Sequence, residues 1–86
     1  MELANHIHAL KIYPEYFQLL KCEIKTFEIR LNDRNFQASQ QILFKEYDPK
    51  TNSYTGELLM REISYVFYGG EFGVEPGYVI MQLKKI

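Results

Sequence analysis

Cysteine occurs once, at Cys22, and tryptophan not at all. A single thiol excludes an internal disulfide and any zinc site built on cysteine pairs. Histidine is nearly as scarce. His6 and His8 stand close enough to share a strand face, but no cysteine accompanies them and the carboxylates are scattered, so neither a metal site nor a cofactor is expected. His8 has the parity of Leu10 and Ile12 and reads as a half-buried strand histidine. No apolar run approaches the ~20 residues of a bilayer span, so no membrane partner is expected. The opening Met-Glu-Leu-Ala-Asn-His has neither the basic nor the apolar region of a signal peptide, and a cytoplasmic protein is the expectation. A basic excess is missing too. Ten Lys/Arg face eleven Asp/Glu for a net charge of −1, which argues against bulk electrostatic binding of long nucleic acid. Any nucleic-acid contact must come from a local cluster of basic residues.

What the chain has is apolar and aromatic matter. Hydrophobic residues make up 47%, with seven tyrosines and six phenylalanines, a composition that folds rather than staying disordered. Eighty-six residues make one domain, residues 1–86, which buries about 64% of its unfolded surface.

The segment from His6 to Ile12 alternates weakly as a short strand. Pro14 suits the first turn of a helix, and Tyr16, Phe17, Leu19 and Leu20 continue it to Cys22. Thr26 to Leu31 alternates most clearly, with Phe27, Ile29 and Leu31 on the face expected to be buried and Thr26, Glu28 and Arg30 on the other. Asn32 to Asn35 is a turn. Strands are expected at Gln41–Tyr47, Leu59–Tyr68 and Tyr78–Leu83, the first two joined by a long, mobile connection over 48–57. Gly69-Gly70 and Pro76-Gly77 read as turn formers. Five strands and one helix that do not alternate argue against a parallel βαβ sheet. They predict a mainly β (α+β) fold, a small barrel with the helix of residues 14–22 packed across one opening.

Glu28 and Arg30, two apart on one strand face, carry the chemistry. A carboxylate accepts from an exocyclic amine, a guanidinium donates to phosphate or to base acceptors, and Lys25 at the strand entrance adds a point charge suited to phosphate. Arg34 in the following turn extends the same patch. Tyr47, Tyr54, Tyr65, Tyr68 and Tyr78 are aromatics on which a base could stack, although most aromatics of so small a barrel must serve its core. Cys22 reads as a small packing residue rather than a nucleophile.

The run Lys25-Thr-Phe-Glu28-Ile-Arg30 resembles the ASCH (activating-signal-cointegrator homology) signature Gly-x-Lys-x-x-Glu-x-Arg, with Glu23 where the glycine would stand. The whole chain is similar to a family of small stand-alone bacterial and phage proteins related to ASCH and of unknown function. That likeness runs from His8-Ala-Leu-Lys-Ile-Tyr-Pro-Glu-Tyr-Phe17 through Asn32-Asp-Arg34 and the Asp48-Pro to Tyr54-Thr-Gly56 hairpin to Gly73-Val-Glu-Pro-Gly-Tyr78.

The resemblance implies a PUA-like β-barrel with a cleft in which RNA, a nucleotide or a modified nucleoside is held by Lys25, Glu28, Arg30 and Arg34. The missing glycine would end the helix in a left-handed conformation. Some stand-alone ASCH proteins are amidohydrolases acting on acetylcytidine through a lysine, a threonine three residues later and a distant glutamate. Lys25 fits that pattern, but Glu28 occupies the threonine position, Thr26 is one residue after the lysine, and the carboxylate could be Glu71 or Glu75. A variant with Glu28 as general base and Lys25 or Arg30 at an oxyanion remains chemically possible. The residues therefore point first to a binding module, second to an amidohydrolase, and third to a protein-interaction adaptor using the 48–57 connection. The barrel's edge strands allow a monomer or a weak homodimer.

Overall fold

The computed structural model describes residues 6–86. Residues 1–5, read above for a leader, lie outside the described residues. The chain runs β1 (Ile7–Ile12), α1 (Pro14–Lys21), β2 (Phe27–Leu31), β3 (Gln41–Asp48), β4 (Ser53–Tyr68) and β5 (Tyr78–Lys84). The strands form one curled sheet, a half-barrel, in the order β1-β3-β4-β5-β2. The β3/β4, β4/β5 and β2/β5 ladders are antiparallel, and β1 joins β3 in parallel. The mainly β fold with one short helix is therefore as expected, on a mixed sheet. No described helix is long and apolar enough to cross a membrane.

Local chemistry explains the helix. Tyr13 is extended (φ −76°, ψ 155°), as a residue before proline should be, and Pro14 opens the first turn, where its missing N–H costs nothing. Glu15 in the first turn and Lys21 in the last complement the helix dipole. Phe17 and Leu20 face the core. Cys22 caps the C-terminus and Glu23 follows at φ 63°, the left-handed conformation that glycine adopts without strain. Its N–H donates to the Leu20 carbonyl (3.1 Å), and the N–H of Lys25 returns to Leu19 (3.0 Å). Cys22 is exposed, not the packing residue its size suggests, because the cap turns it to solvent.

The largest correction concerns the β3–β4 hairpin. The expected long connection is a four-residue turn, because β4 starts at Ser53 and pairs Tyr54 with Tyr47. Asp48 Oδ1 accepts from the Lys50 N–H (2.9 Å), and Asn52 sits at φ 54°, the side-chain and backbone devices of a tight turn. Gly56, at φ 97°, lies in a bulge opposite Glu46, where the register slips between Lys45 and Tyr47. Glycine and turn formers within this segment conceal its strand character. The adaptor reading thereby loses its loop.

A second register shift, between Ile63 and Tyr65, reverses the inward parity of β4, so that Arg61, Ile63 and Val66 are all buried. The core gathers Phe17, Ile42, Phe44, Ile63 and Met81, together with Phe36 from the irregular segment before β3. Gly69 is required by close approach, since a Cβ there would collide with the backbone carbonyl oxygens of Glu75 and Tyr78.

Glu23 pays a conformational cost that its exposed ion pair with Lys85 (3.2 Å) barely offsets. Glu23→Gly is expected to stabilise the fold by about 0.5–1 kcal/mol, raising the thermal midpoint by a few degrees in a circular-dichroism melt. An unchanged or lower midpoint would contradict this account of the cap.

Candidate functional site

The order of the sheet leaves β1 and β2 as its two edges. Unpaired strand edges expose backbone groups that need partners. Here two arginine side chains cross between the edges: Arg30 donates through Nη2 to the Lys11 carbonyl (2.7 Å), and Arg34 donates through Nη1 to the Ala9 carbonyl (2.7 Å). The two carbonyls are two residues apart on β1.

Glu28 determines how Arg30 is presented. Its side chain is only 7% exposed, and each carboxylate oxygen meets a cation: Lys25 Nζ donates to Oε1 (3.1 Å) and Arg30 Nε donates to Oε2 (2.6 Å). Lys25 in turn lies over the rings of Tyr16 (5.1 Å) and Phe27 (5.4 Å). Cationic neighbours on both oxygens compensate the loss of hydration that burial imposes on a carboxylate.

This arrangement inverts the expected polarity of β2. Phe27, Ile29 and Leu31 are 47%, 51% and 52% exposed, whereas Glu28 is 5% exposed. The alternation identifies the strand correctly but assigns its faces the wrong way round. The inner face of this edge strand meets the polar seam between β1 and β2, and among the described residues its outer face stays about half exposed.

Beside the seam opens a cleft of about 580 Å³. One wall is formed by Lys11, Ile12 and Tyr13, with Tyr16 from the first turns of α1; Lys25 and residues 27–30 form the other. Tyr13, Tyr16 and Phe27 are each about half exposed around it. The cleft thus brings together Lys25, Glu28 and Arg30, three of the four binding residues expected from sequence. Arg34 lies along the same seam but does not line the cleft.

Along residues 7–83 the sequence matches the model of a domain of unknown function (DUF3850). The chain belongs to that family. No curated protein matches it.

The other expected residues of this DUF3850 domain lie elsewhere. Thr26 is exposed and absent from the cleft wall, and its carbonyl accepts from the Leu83 N–H. Glu71 and Glu75 belong to the β4–β5 connection, with Glu75 beside a separate concavity of about 250 Å³. Neither Thr26 nor either of these glutamates lines the cleft with Lys25.

None of the five tyrosines considered from sequence lines the cleft. Tyr47 and Tyr54 pack edge to face on the hairpin (5.1 Å), Tyr68 donates to the Phe36 carbonyl (3.4 Å), and Tyr65 and Tyr78 face outward. Of the two that do line it, Tyr16 is read from sequence only as a helix-face residue, and Tyr13 carries no reading of its own. The available clue is their position flanking Pro14, where a helix begins at the end of a strand. His8 is on β1 as expected, but buried rather than half-buried. It shares a hydrogen bond with Gln40 (2.7 Å) and meets Phe36 edge-on.

Glu28→Gln removes the charge while keeping the shape. It should leave Lys25 and Arg30 under-compensated and destabilise the domain by about 1–3 kcal/mol, read as a lower urea midpoint with unchanged slope. Thr26→Ala, just before the same strand, should stay within about 0.5 kcal/mol of wild type. Equal effects of the two substitutions would contradict a special role for Glu28.

Proposed function

We propose that this domain is a small binding module that holds a nucleotide, or a base presented by RNA, in the cleft between β1 and β2. The observation that carries this reading is the convergence of Lys25, Glu28 and Arg30 on one wall of a cleft whose rim is aromatic. A volume near 580 Å³ lies within the range of small-ligand sites. The charge is also suitable. Lys25 and Arg30 outnumber Glu28 among the charged side chains of the cleft although the whole chain carries −1, a local balance suited to a phosphate, while the ammonium of Lys11 lies over the Tyr47 ring of β3.

Spare hydrogen-bonding capacity supports recognition. Each Glu28 oxygen has a second lone-pair direction for an exocyclic amine, and Lys25 and Arg30 keep N–H groups beyond those already used. Tyr13, Tyr16 and Phe27 provide flat faces for a base. We extend the reading to kinship with the ASCH and PUA-like domains, supported by the spatial union of the residues that resemble the ASCH signature. A cytoplasmic location accords with the single, exposed free thiol of Cys22.

The test is a thermal-shift screen of nucleosides, nucleotides and short RNAs against wild type and the Tyr16→Ala and Lys25→Gln variants, with hits measured by calorimetry. A ligand at 100 times its dissociation constant adds about 2.7 kcal/mol and should raise the midpoint by several degrees. Both variants should lose at least tenfold in affinity. If no nucleotide or RNA shifts the wild type, or if both variants bind as well as wild type, the proposal is wrong.

A further inference from the structure

The inverted polarity of β2 leaves an apolar surface on the outside of the sheet. The registers place Phe27 beside Gln82 and Gln82 beside Tyr65; Ile29 beside Ile80 and Ile80 beside Phe67; and Leu31 beside Tyr78. These eight positions of the outer face include no charged residue. Phe72, from the β4–β5 connection, lies near Phe67, with ring centres 6.2 Å apart, and is itself 86% exposed. Edge strands are ordinarily protected by outward charges, and β2 has none on this face.

The area decides what kind of surface this is. Counting ~200 Å² for a fully exposed aromatic side chain and somewhat less for an aliphatic one, the exposed parts of Phe27, Ile29, Leu31, Tyr65, Phe72 and Tyr78 amount to roughly 600 Å². That is at the upper end of the largest apolar patch on an ordinary monomer, about 300–600 Å², and approaches the ~800 Å² that each partner contributes to a standard interface. The face also carries both a projection and a recess. It carries one projecting aromatic, Phe72, and one concavity of about 250 Å³ lined by Ile29, Val74 and Tyr78 among others. A projection and a recess on the same surface are what a two-fold axis can use twice. The apolar rows give phosphates or anionic headgroups nothing to attract them, and the Glu75 carboxylate at the recess repels them.

We propose that two copies of this chain associate through the outer face of β2, β5 and the C-terminal half of β4, the Phe72 of each seated in the recess beside Ile29 of the other. This contact buries the apolar rows face to face and leaves Lys25, Glu28 and Arg30 on the seam side; Phe27 and Ile29, which also line the cleft, stand at its border.

Sedimentation velocity over a dilution series, with light scattering for mass, tests the association. Wild type should run as a dimer that dissociates on dilution. Phe72→Asp and Leu31→Lys, both at exposed positions, should run at half the mass throughout while keeping the wild-type circular-dichroism spectrum and any nucleotide-induced thermal shift. A wild type that is monomeric at every concentration would overturn the proposal, whether or not the face then captures vesicles or another protein. So would a dimer that survives both substitutions.

Discussion

A buried carboxylate clamped between an ammonium and a guanidinium holds this small fold together where its sheet does not. The strand order leaves β1 and β2 without a ladder between them, and Glu28 aims Arg30 across that gap. Once Nε is fixed on the carboxylate, Nη2 of the same planar group meets the Lys11 carbonyl. Lysine cannot reproduce that two-ended bridge, because it has neither the fork nor the plane. Lys25 completes the neutralisation of Glu28 and is itself braced by two aromatic rings. The same three residues are therefore a structural joint and one wall of the cleft, and the proposed ligand would bind against a surface already organised before it arrives.

The other buried polar residues follow a common logic. Arg61 donates to the Leu20 carbonyl near the end of α1, where helix carbonyls lose their own partners. Glu46 accepts from Thr55 (2.6 Å) at the hairpin bulge, where β3 and β4 fall out of register. His8 is tied to Gln40 beside the irregular segment that carries Phe36 inward. These residues and Glu28 are themselves paired in the sheet, but their side chains reach to where regular backbone pairing stops. Their side chains satisfy groups that neither ladder nor helix reaches.

Much of this is visible in the sequence. Pro14 and the spacing of Phe17 and Leu20 mark α1, the alternation of Phe27 to Leu31 marks β2, and Lys25, Glu28 and Arg30 identify the cleft wall. The faces of β2 were not legible, because assigning apolar residues to the inside presumes a covered core, and β2 instead borders an open seam. The extent of β4 was hidden by Gly56 and the turn-forming residues from Asp48 to Ser53, whose bulge is fixed by tertiary pairing rather than by local preference. Phe36 and the bridge from Arg34 to Ala9 join residues distant in sequence, which periodicity does not report. The left-handed conformation of Glu23 is the one that the glycine of the resembled signature would adopt, but a glutamate at that position leaves it undecided in the sequence.

The central claim is that the seam residues form one binding surface, and amide chemical-shift mapping of the nitrogen-labelled protein during a nucleotide titration tests it most directly. The account predicts perturbations concentrated at Lys11 to Tyr13, at Tyr16 and from Lys25 to Arg30, two segments distant in sequence that respond with a single affinity. Perturbations confined to the hairpin turn or the outer face of β5, or none at all, would contradict it.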